Sequence, residues 1–178
     1  LLVRGLKYGP SVELQPYLEA YAQSTAIAAT WADQWGVSHP VKTRAIAPTG
    51  TIGIAAETTT GLEPIFCAAV KRRYYDHGVW RYQMVVDPTA RRLMEMGIDA
   101  DKIEDAYSLS EDVERRLSFQ AWMQGYVDHA ISSTINLPAW GTPQNNADTV
   151  QSFGETLLRY LPRLRGITCY PDGSRGGQ

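Results

Sequence analysis

Three β-prone segments, at 41–47, 130–138 and 166–170, each follow a stretch with helical periodicity, and this alternation restricts the chain to an α/β architecture. Parallel strands need a long crossover between them, and a helix of a dozen residues supplies one. Two further β-prone runs, 66–75 and 79–86, flank Asp76-His77-Gly78 and read as a hairpin. So few strands cannot close an eight-stranded barrel. The segments therefore form either a small open sheet or one part of a larger one. The 178 residues amount to about one domain, and 44% hydrophobic content with 20% charged is enough to bury a core.

Helical periodicity runs first from Pro10 to about Trp35, where Leu14, Leu18, Tyr21, Ala22, Thr25, Ala28, Ala29, Ala32 and Trp35 recur at three- and four-residue steps. The small residues of that stripe suggest close packing against a sheet, and Gly36 with Pro40 marks the stop. Pro88 opens a helix with Ala90, Leu93 and Met94 inward, ending near Gly97. Ser110 is the candidate cap of the next, whose inward face holds Val113, Leu117, Phe119, Trp122, Met123, Tyr126 and Val127. A last helix from about Asp148 to Tyr160 is expected to bury Val150, Phe153, Leu157 and Leu161. The run after Tyr170 reads as an exit tail.

Composition excludes several classes. A formal net charge of -2 argues against a free-standing nucleic-acid binder. No stretch reaches the roughly 18 unbroken apolar residues of a membrane helix. Cys67 and Cys169 lie far apart, without the spacing of a zinc site or a disulfide framework. His39, His77 and His129 are isolated, so no metal site is expected, and the cytoplasm is the default compartment. The opening Leu-Leu-Val-Arg-Gly has neither an initiator Met nor a signal-peptide core, which points to a fragment or a processed chain.

Two segments suggest a binding site. Strand 41–47 breaks at Pro48-Thr49-Gly50-Thr51 and continues into a small-residue helix start. Glycine there lets backbone approach an anion, and the first helical N–H groups point at it. By themselves these residues equally suit an ordinary turn with an N-cap. In 130–138, Ile131, Ser133 and Ile135 alternate with Ser132, Thr134 and Asn136, so one face of that strand is polar and either meets solvent or lines a site.

Four segments taken in order carry a family resemblance. Ala-Ile-Ala-Pro-Thr-Gly-Thr-Ile at 45–52 is followed by Gly-Leu-Glu-Pro-Ile-Phe at 61–66. Val-Asp-His-Ala-Ile-Ser-Ser-Thr-Ile-Asn-Leu-Pro at 127–138 and Gly-Ile-Thr-Cys-Tyr-Pro-Asp-Gly-Ser-Arg at 166–175 complete the set. This order resembles the C-terminal part of the catalytic barrel of ribonucleotide reductases, in the form found in the adenosylcobalamin-dependent class II enzymes. The resemblance implies the last portion of a ten-stranded α/β barrel, incomplete on its own, with 1–40 as a helical lead-in, 41–170 as the barrel segment and 171–178 as the tail. It implies that Thr49, Gly50, Thr51 and Ile52 hold a substrate diphosphate. It also places Thr134 and Asn136 either in the barrel interior or in bonds between neighbouring strands and loops. Glu63-Pro64 reads as a structural loop, with no evident partner for Glu63.

The same resemblance implies what this chain does not carry. The family usually shows Lys where Arg165 and Ser133 stand and a branched apolar residue where Cys169 stands. Cys169 matches no catalytic cysteine of the family and is read as a small buried hydrophobe, with Cys67 weaker still. No catalytic residue is assigned. The radical cysteine, its Asn-x-Cys-x-Glu segment and the re-reducing cysteine pair would come from a larger reductase piece. Adenosylcobalamin, a ribonucleoside di- or triphosphate and a dithiol reductant are the other implied partners. A non-catalytic nucleotide-binding or interaction module of the same descent is the rival expectation, and a metal-radical subunit as radical source is a second.

Overall fold

The computed structural model describes Leu2 and residues 5–174. Six α-helices are found there: α1 (Gln15–Ala22), α2 (Ser24–Trp35), α3 (Gly50–Ala55), α4 (Pro88–Glu95), α5 (Val113–Gln124) and α6 (Val150–Tyr160). Strands β1 (Ala69–Asp76) and β2 (Val79–Val86) form the expected antiparallel hairpin, turning at His77-Gly78 with both residues at positive φ. β3 (Thr134–Leu137) and β4 (Thr168–Pro171) pair in parallel across the α6 crossover. Of the expected strand 41–47 only its end pairs, in a parallel bridge between Ile46 and Ile131. Segment 131–137 is thus central, with Ile46 on one side and β4 on the other.

α5 is the pivot of the packing. Phe119 and Met123 of α5 lie with Val127, Ile131, Tyr8, Leu18, Leu62 and Leu109 in the larger apolar cluster. A second cluster joins α4, through Ala90 and Leu93, to Ile65 and Ile103. α4 starts where Asp87 accepts hydrogen bonds from Thr89 N (2.8 Å) and Ala90 N (3.1 Å) and Pro88 needs no partner for its nitrogen. α5 is capped by Asp112, whose carboxylate accepts from Arg115 N at 3.0 Å, and not by the expected Ser110, whose hydroxyl donates to Tyr107 O. A carboxylate next to the first helical residue is within reach of those N–H groups, and Ser110 lies two residues too early.

Two helical expectations are corrected. The stretch 10–35 is two helices broken at Gln23, and only Leu18 and Ala32 on them are buried. At the break, Arg44 donates to Ala22 O (3.1 Å) and to the Thr25 hydroxyl, while its Nε donates to Tyr126 O (2.7 Å). Asp128 holds that arginine at 3.3 Å and accepts the Arg44 backbone N–H at 2.8 Å. A long-range guanidinium thus satisfies the broken end of α1. The second correction is α6, on which no residue is buried; Val150 and Leu161 are exposed. α6 packs against α5, with Phe153 and Leu157 half-buried.

One ion pair ties the N-terminal segment to α5. Arg115 grips Glu104 through both guanidinium nitrogens (2.7 and 2.9 Å), and Glu104 also accepts from Tyr8 N at 2.6 Å. Burial alone pushes the Glu104 carboxyl up, but the Arg115 and Tyr8 hydrogen bonds outweigh it and hold it below its ordinary value. A depressed carboxylate stabilises the fold above the unfolded pKa of about 4.3 and loses that contribution as pH falls through the lower folded value. Thermal melts should therefore show wild type ahead of Glu104→Gln by a constant margin at pH 6–7. That margin should shrink as the pH drops below about 4; a margin independent of pH would remove Glu104 from acid unfolding.

Candidate functional site

A cavity of about 500 Å³ opens between the loop before α3, the 58–66 loop, β3 and the end of β4. All four motif segments reach it. Pro48 and Gly50 come from the first, with Ile54 of α3 just after it, Glu63 to Phe66 from the second, Ser132, Thr134 and Asn136 from the third, and Tyr170 to Asp172 with Ser174 from the fourth. The alternation read in 130–138 accounts for the third contribution. Ile131, Ser133 and Ile135 are buried on one side, and the three polar residues between them face the cavity.

Thr49 takes a left-handed conformation (φ 50°), which a non-glycine residue adopts only where its surroundings hold it. Its hydroxyl accepts the Gly61 N–H at 2.9 Å. Gly61 is itself left-handed (φ +49°), and a Cβ there would lie 2.8 Å from the Ala47 carbonyl oxygen. Two loops far apart in sequence are thus pressed together at a point only glycine fits. In α3 the first helical hydrogen bond runs from Gly53 N to Thr49 O at 2.8 Å, so the amides of Gly50, Thr51 and Ile52 precede the ladder. Of the four residues expected at a phosphate, Gly50 lines the cavity; Thr49 is turned to Gly61, and Thr51 and Ile52 are exposed beside it. Thr134 and Asn136 both line it.

Glu63 corrects the expectation that it has no partner. One of its oxygens accepts from Arg116 at 2.7 Å, and the other accepts the Thr134 N–H at 2.5 Å. Arg116 is 2% exposed, and the same Nη2 also donates to the Thr134 carbonyl at 2.7 Å. Ser132 N donates to Ile46 O on this side of the central segment, but the neighbouring chain turns away at Pro48. Glu63 and Arg116 therefore take over both backbone groups of Thr134 where the sheet partner ends. Behind them Tyr8 sits 5.1 Å from the guanidinium, ring to cation, and its hydroxyl donates to Leu62 O at 3.0 Å. Burial pushes the Tyr8 phenol up to about 12, against the opposing pull of Arg116.

No Lys or Arg stands among the described residues lining the cavity, while Glu63, Asp87 and Asp172 do. Each carboxylate is engaged: Glu63 by Arg116, Asp87 as the cap of α4, and Asp172 by the Tyr107 hydroxyl at 3.0 Å. Tyr107 is raised by that bond and by the Asp172 charge. An anion bound here would depend on backbone N–H groups rather than on side-chain cations. Neither thiol lines the cavity. Cys67 donates to Ala69 O at 3.0 Å, and the Cys169 thiol is pushed up by burial, partly offset by Arg116. Among the described residues no group of three His, Cys, Asp or Glu could hold a metal ion, and no helix is long and apolar enough to cross a membrane.

Arg116 was the residue that motif reading passed over. Its signal lies inside α5: Arg116 and Gln120 sit at inward positions between Leu117, Phe119 and Met123, and both are buried. A charged and an amide side chain within an apolar stripe imply partners elsewhere.

Residues 35–160 match the family model described as the ribonucleotide reductase barrel domain. Two curated relatives, from Mycobacterium tuberculosis strains CDC 1551 / Oshkosh and ATCC 25618 / H37Rv, are each named vitamin B12-dependent ribonucleoside-diphosphate reductase. Each is 31% identical over 156 residues, covering 75% of this chain and 21% of the relative. A crystal structure of a B-12 dependent (class II) ribonucleotide reductase superposes with a TM-score of 0.62 at 14% identity, over 92% of this chain and 24% of that one. The chain thus spans about a fifth of the length of the curated relatives it matches. The fourth motif segment lies beyond the family-model match, and its Arg175 lies outside the described residues.

Proposed function

The chain belongs to the ribonucleotide reductase barrel-domain family, and from that premise we propose that its cavity holds the diphosphate-bearing end of a ribonucleotide in an adenosylcobalamin-dependent reductase. The reaction is replacement of the ribose 2′-hydroxyl by hydrogen, with a dithiol oxidised to a disulfide and water released. In this reading the chain is the last portion of a ten-stranded barrel, and a larger piece carries the catalytic cysteines. The observation that supports it is the convergence of all four motif segments on one cavity. The chain's own share is positioning. The amides of Gly50, Thr51 and Ile52, ahead of the α3 ladder, bind and orient the diphosphate, and Thr134 and Asn136 line the wall beside it.

Adenosylcobalamin, implied by the B12-dependent relatives, does not fit this cavity. A corrin with its nucleotide tail is larger than about 500 Å³, and none of the lining residues offers a histidine to cobalt. The cofactor, which supplies the radical when bound, therefore belongs to the larger piece.

The test mixes this chain with the cysteine-carrying piece, adenosylcobalamin, a dithiol and CDP, and looks for the deoxyribonucleotide. Product only when both pieces are present is expected. No product despite a stable complex would favour the non-catalytic nucleotide-binding module. In the active mixture, Gly50→Val should raise the apparent substrate constant about ten-fold with kcat nearly unchanged, because a Cβ at Gly50 meets nothing within 4 Å and disturbs only what approaches from outside. An unchanged constant would take the loop out of the site.

A further inference from the structure

The β1–β2 hairpin carries chemistry that substrate positioning does not use. From Lys71 to Val85 every residue except Asp76 is exposed, so both faces of this two-stranded sheet are open. Its strands hold four cations, Lys71, Arg72, Arg73 and Arg81, against one acid, Asp76. The formal net charge of -2 for the whole chain conceals that local excess.

The strand register sorts these side chains. Residues directly opposite one another share a face, so Lys71 with Met84, Arg73 with Tyr82, and Tyr75 with Trp80 lie on one side. That side has no carboxylate. Lys71 Nζ lies 4.6 Å from the Tyr82 ring centre, and the Arg73 guanidinium 4.4 Å from that of Trp80. The Tyr75 and Trp80 rings meet at 5.0 Å with planes at 63°. Even so, Tyr75, Trp80 and Tyr82 stay 63%, 55% and 59% exposed. On the opposite side Arg81 is held by Asp76 at 2.8 Å.

We propose that the side with the rings binds single-stranded nucleic acid, bases stacking on the rings while Lys71, Arg73 and the neighbouring Arg72 meet phosphates. Charge alone would keep a sheet edge from pairing with another chain, but that role does not call for three exposed rings. An acidic peptide would satisfy the cations and meet ring faces that are themselves negative and repel carboxylates. Bases of any identity stack on such faces, and a guanidinium over a ring adds to the platform. Strand geometry selects the unpaired form. Trp80 and Tyr82 are two residues apart, about 7 Å along the strand, twice the step of roughly 3.4 Å in a stacked nucleic-acid strand. Bases that reach both rings must separate from one another, which a single strand does readily and a duplex does not.

Fluorescence anisotropy of a labelled oligothymidylate of about 12 nucleotides, titrated with this chain between about 50 and 200 mM NaCl, tests the face. Binding is expected to weaken about 15-fold over that range, because three phosphate contacts give a slope of about -2 in log K against log salt. Arg73→Gln should flatten the slope by about 0.7. Trp80→Leu combined with Tyr82→Leu should weaken binding about ten-fold or more at every salt. The slope of that variant should not change, which shows that the cations are still in place. Trp80→Phe with Tyr82→Phe restores the π-faces and should restore most of the affinity. No binding at the lowest salt, or an affinity that survives the two Leu substitutions, overturns the proposal. Oligoglutamate of equal length binding as tightly would assign the face to an acidic protein surface, and a DNA duplex binding more tightly would assign it to paired strands; either result overturns it as well.

Discussion

Urea denaturation of Glu63→Ala is expected to show a loss of about 3 kcal/mol with an unchanged slope. The substitution removes the charge facing Arg116, which is 2% exposed and cannot turn to water. It also removes the acceptor for the Thr134 N–H. Arg116 has no reserve to absorb the loss, since its Nε is already buried without a hydrogen-bond partner. Glu63 is a quarter exposed, so the effect belongs at the lower end of the usual range for breaking a buried pair. Glu63→Gln should cost about half as much, because its amide oxygen still accepts from Thr134 while the ionic attraction is gone. The pair should also couple: adding Arg116→Leu to Glu63→Ala should cost less than the two single losses combined. A Glu63→Ala protein within about 0.5 kcal/mol of wild type would show that the pair does not hold β3.

Gly61→Ala should weaken both the fold and the site. The left-handed backbone alone costs a non-glycine residue about 1–2 kcal/mol. The added Cβ would lie 2.8 Å from the Ala47 carbonyl oxygen, so backbone must move on one side or the other. That movement pulls the Gly61 amide from the Thr49 hydroxyl, the contact that supports the strained residue ahead of α3. Pyrophosphate affinity is expected to fall at least ten-fold, well beyond what the lost stability explains in a protein still folded. Gly50→Ala is the control, since its methyl points into open space and should leave stability within about 0.5 kcal/mol. If Gly61→Ala binds pyrophosphate as wild type does, the contact between the two loops has no part in shaping the site.

Much of the architecture was legible locally. Alternating runs around Asp76-His77-Gly78 specify a hairpin because a two-residue turn fixes register by itself. Asp87-Pro88 specifies a helix start because the capping oxygen and the N–H groups it accepts lie two and three residues apart. The two-residue period of 130–138 told which side chains share a face, and the structure turns the polar ones to the cavity. Where the reading failed, a distant group intervened. Arg44 satisfies the break between α1 and α2 from some twenty residues away, and a continuous apolar stripe gives no sign of it. The apolar sides of α2 and α6 were expected to be covered, yet Trp35, Val150 and Leu161 are exposed.

By itself, then, the order of residues determined most of the elements, the polar face of β3 and, through four motifs in sequence, the family. Only the tertiary structure decided that those motifs meet in one cavity and that Glu63 has a partner. The physical reason is range. Periodicity, caps and tight turns act over four residues or fewer, whereas Glu63 finds Arg116 across 53 positions and Thr134 across 71. Such partners are chosen by which backbone groups remain unpaired once the sheet has formed, here those of Thr134 where the neighbouring chain leaves at Pro48.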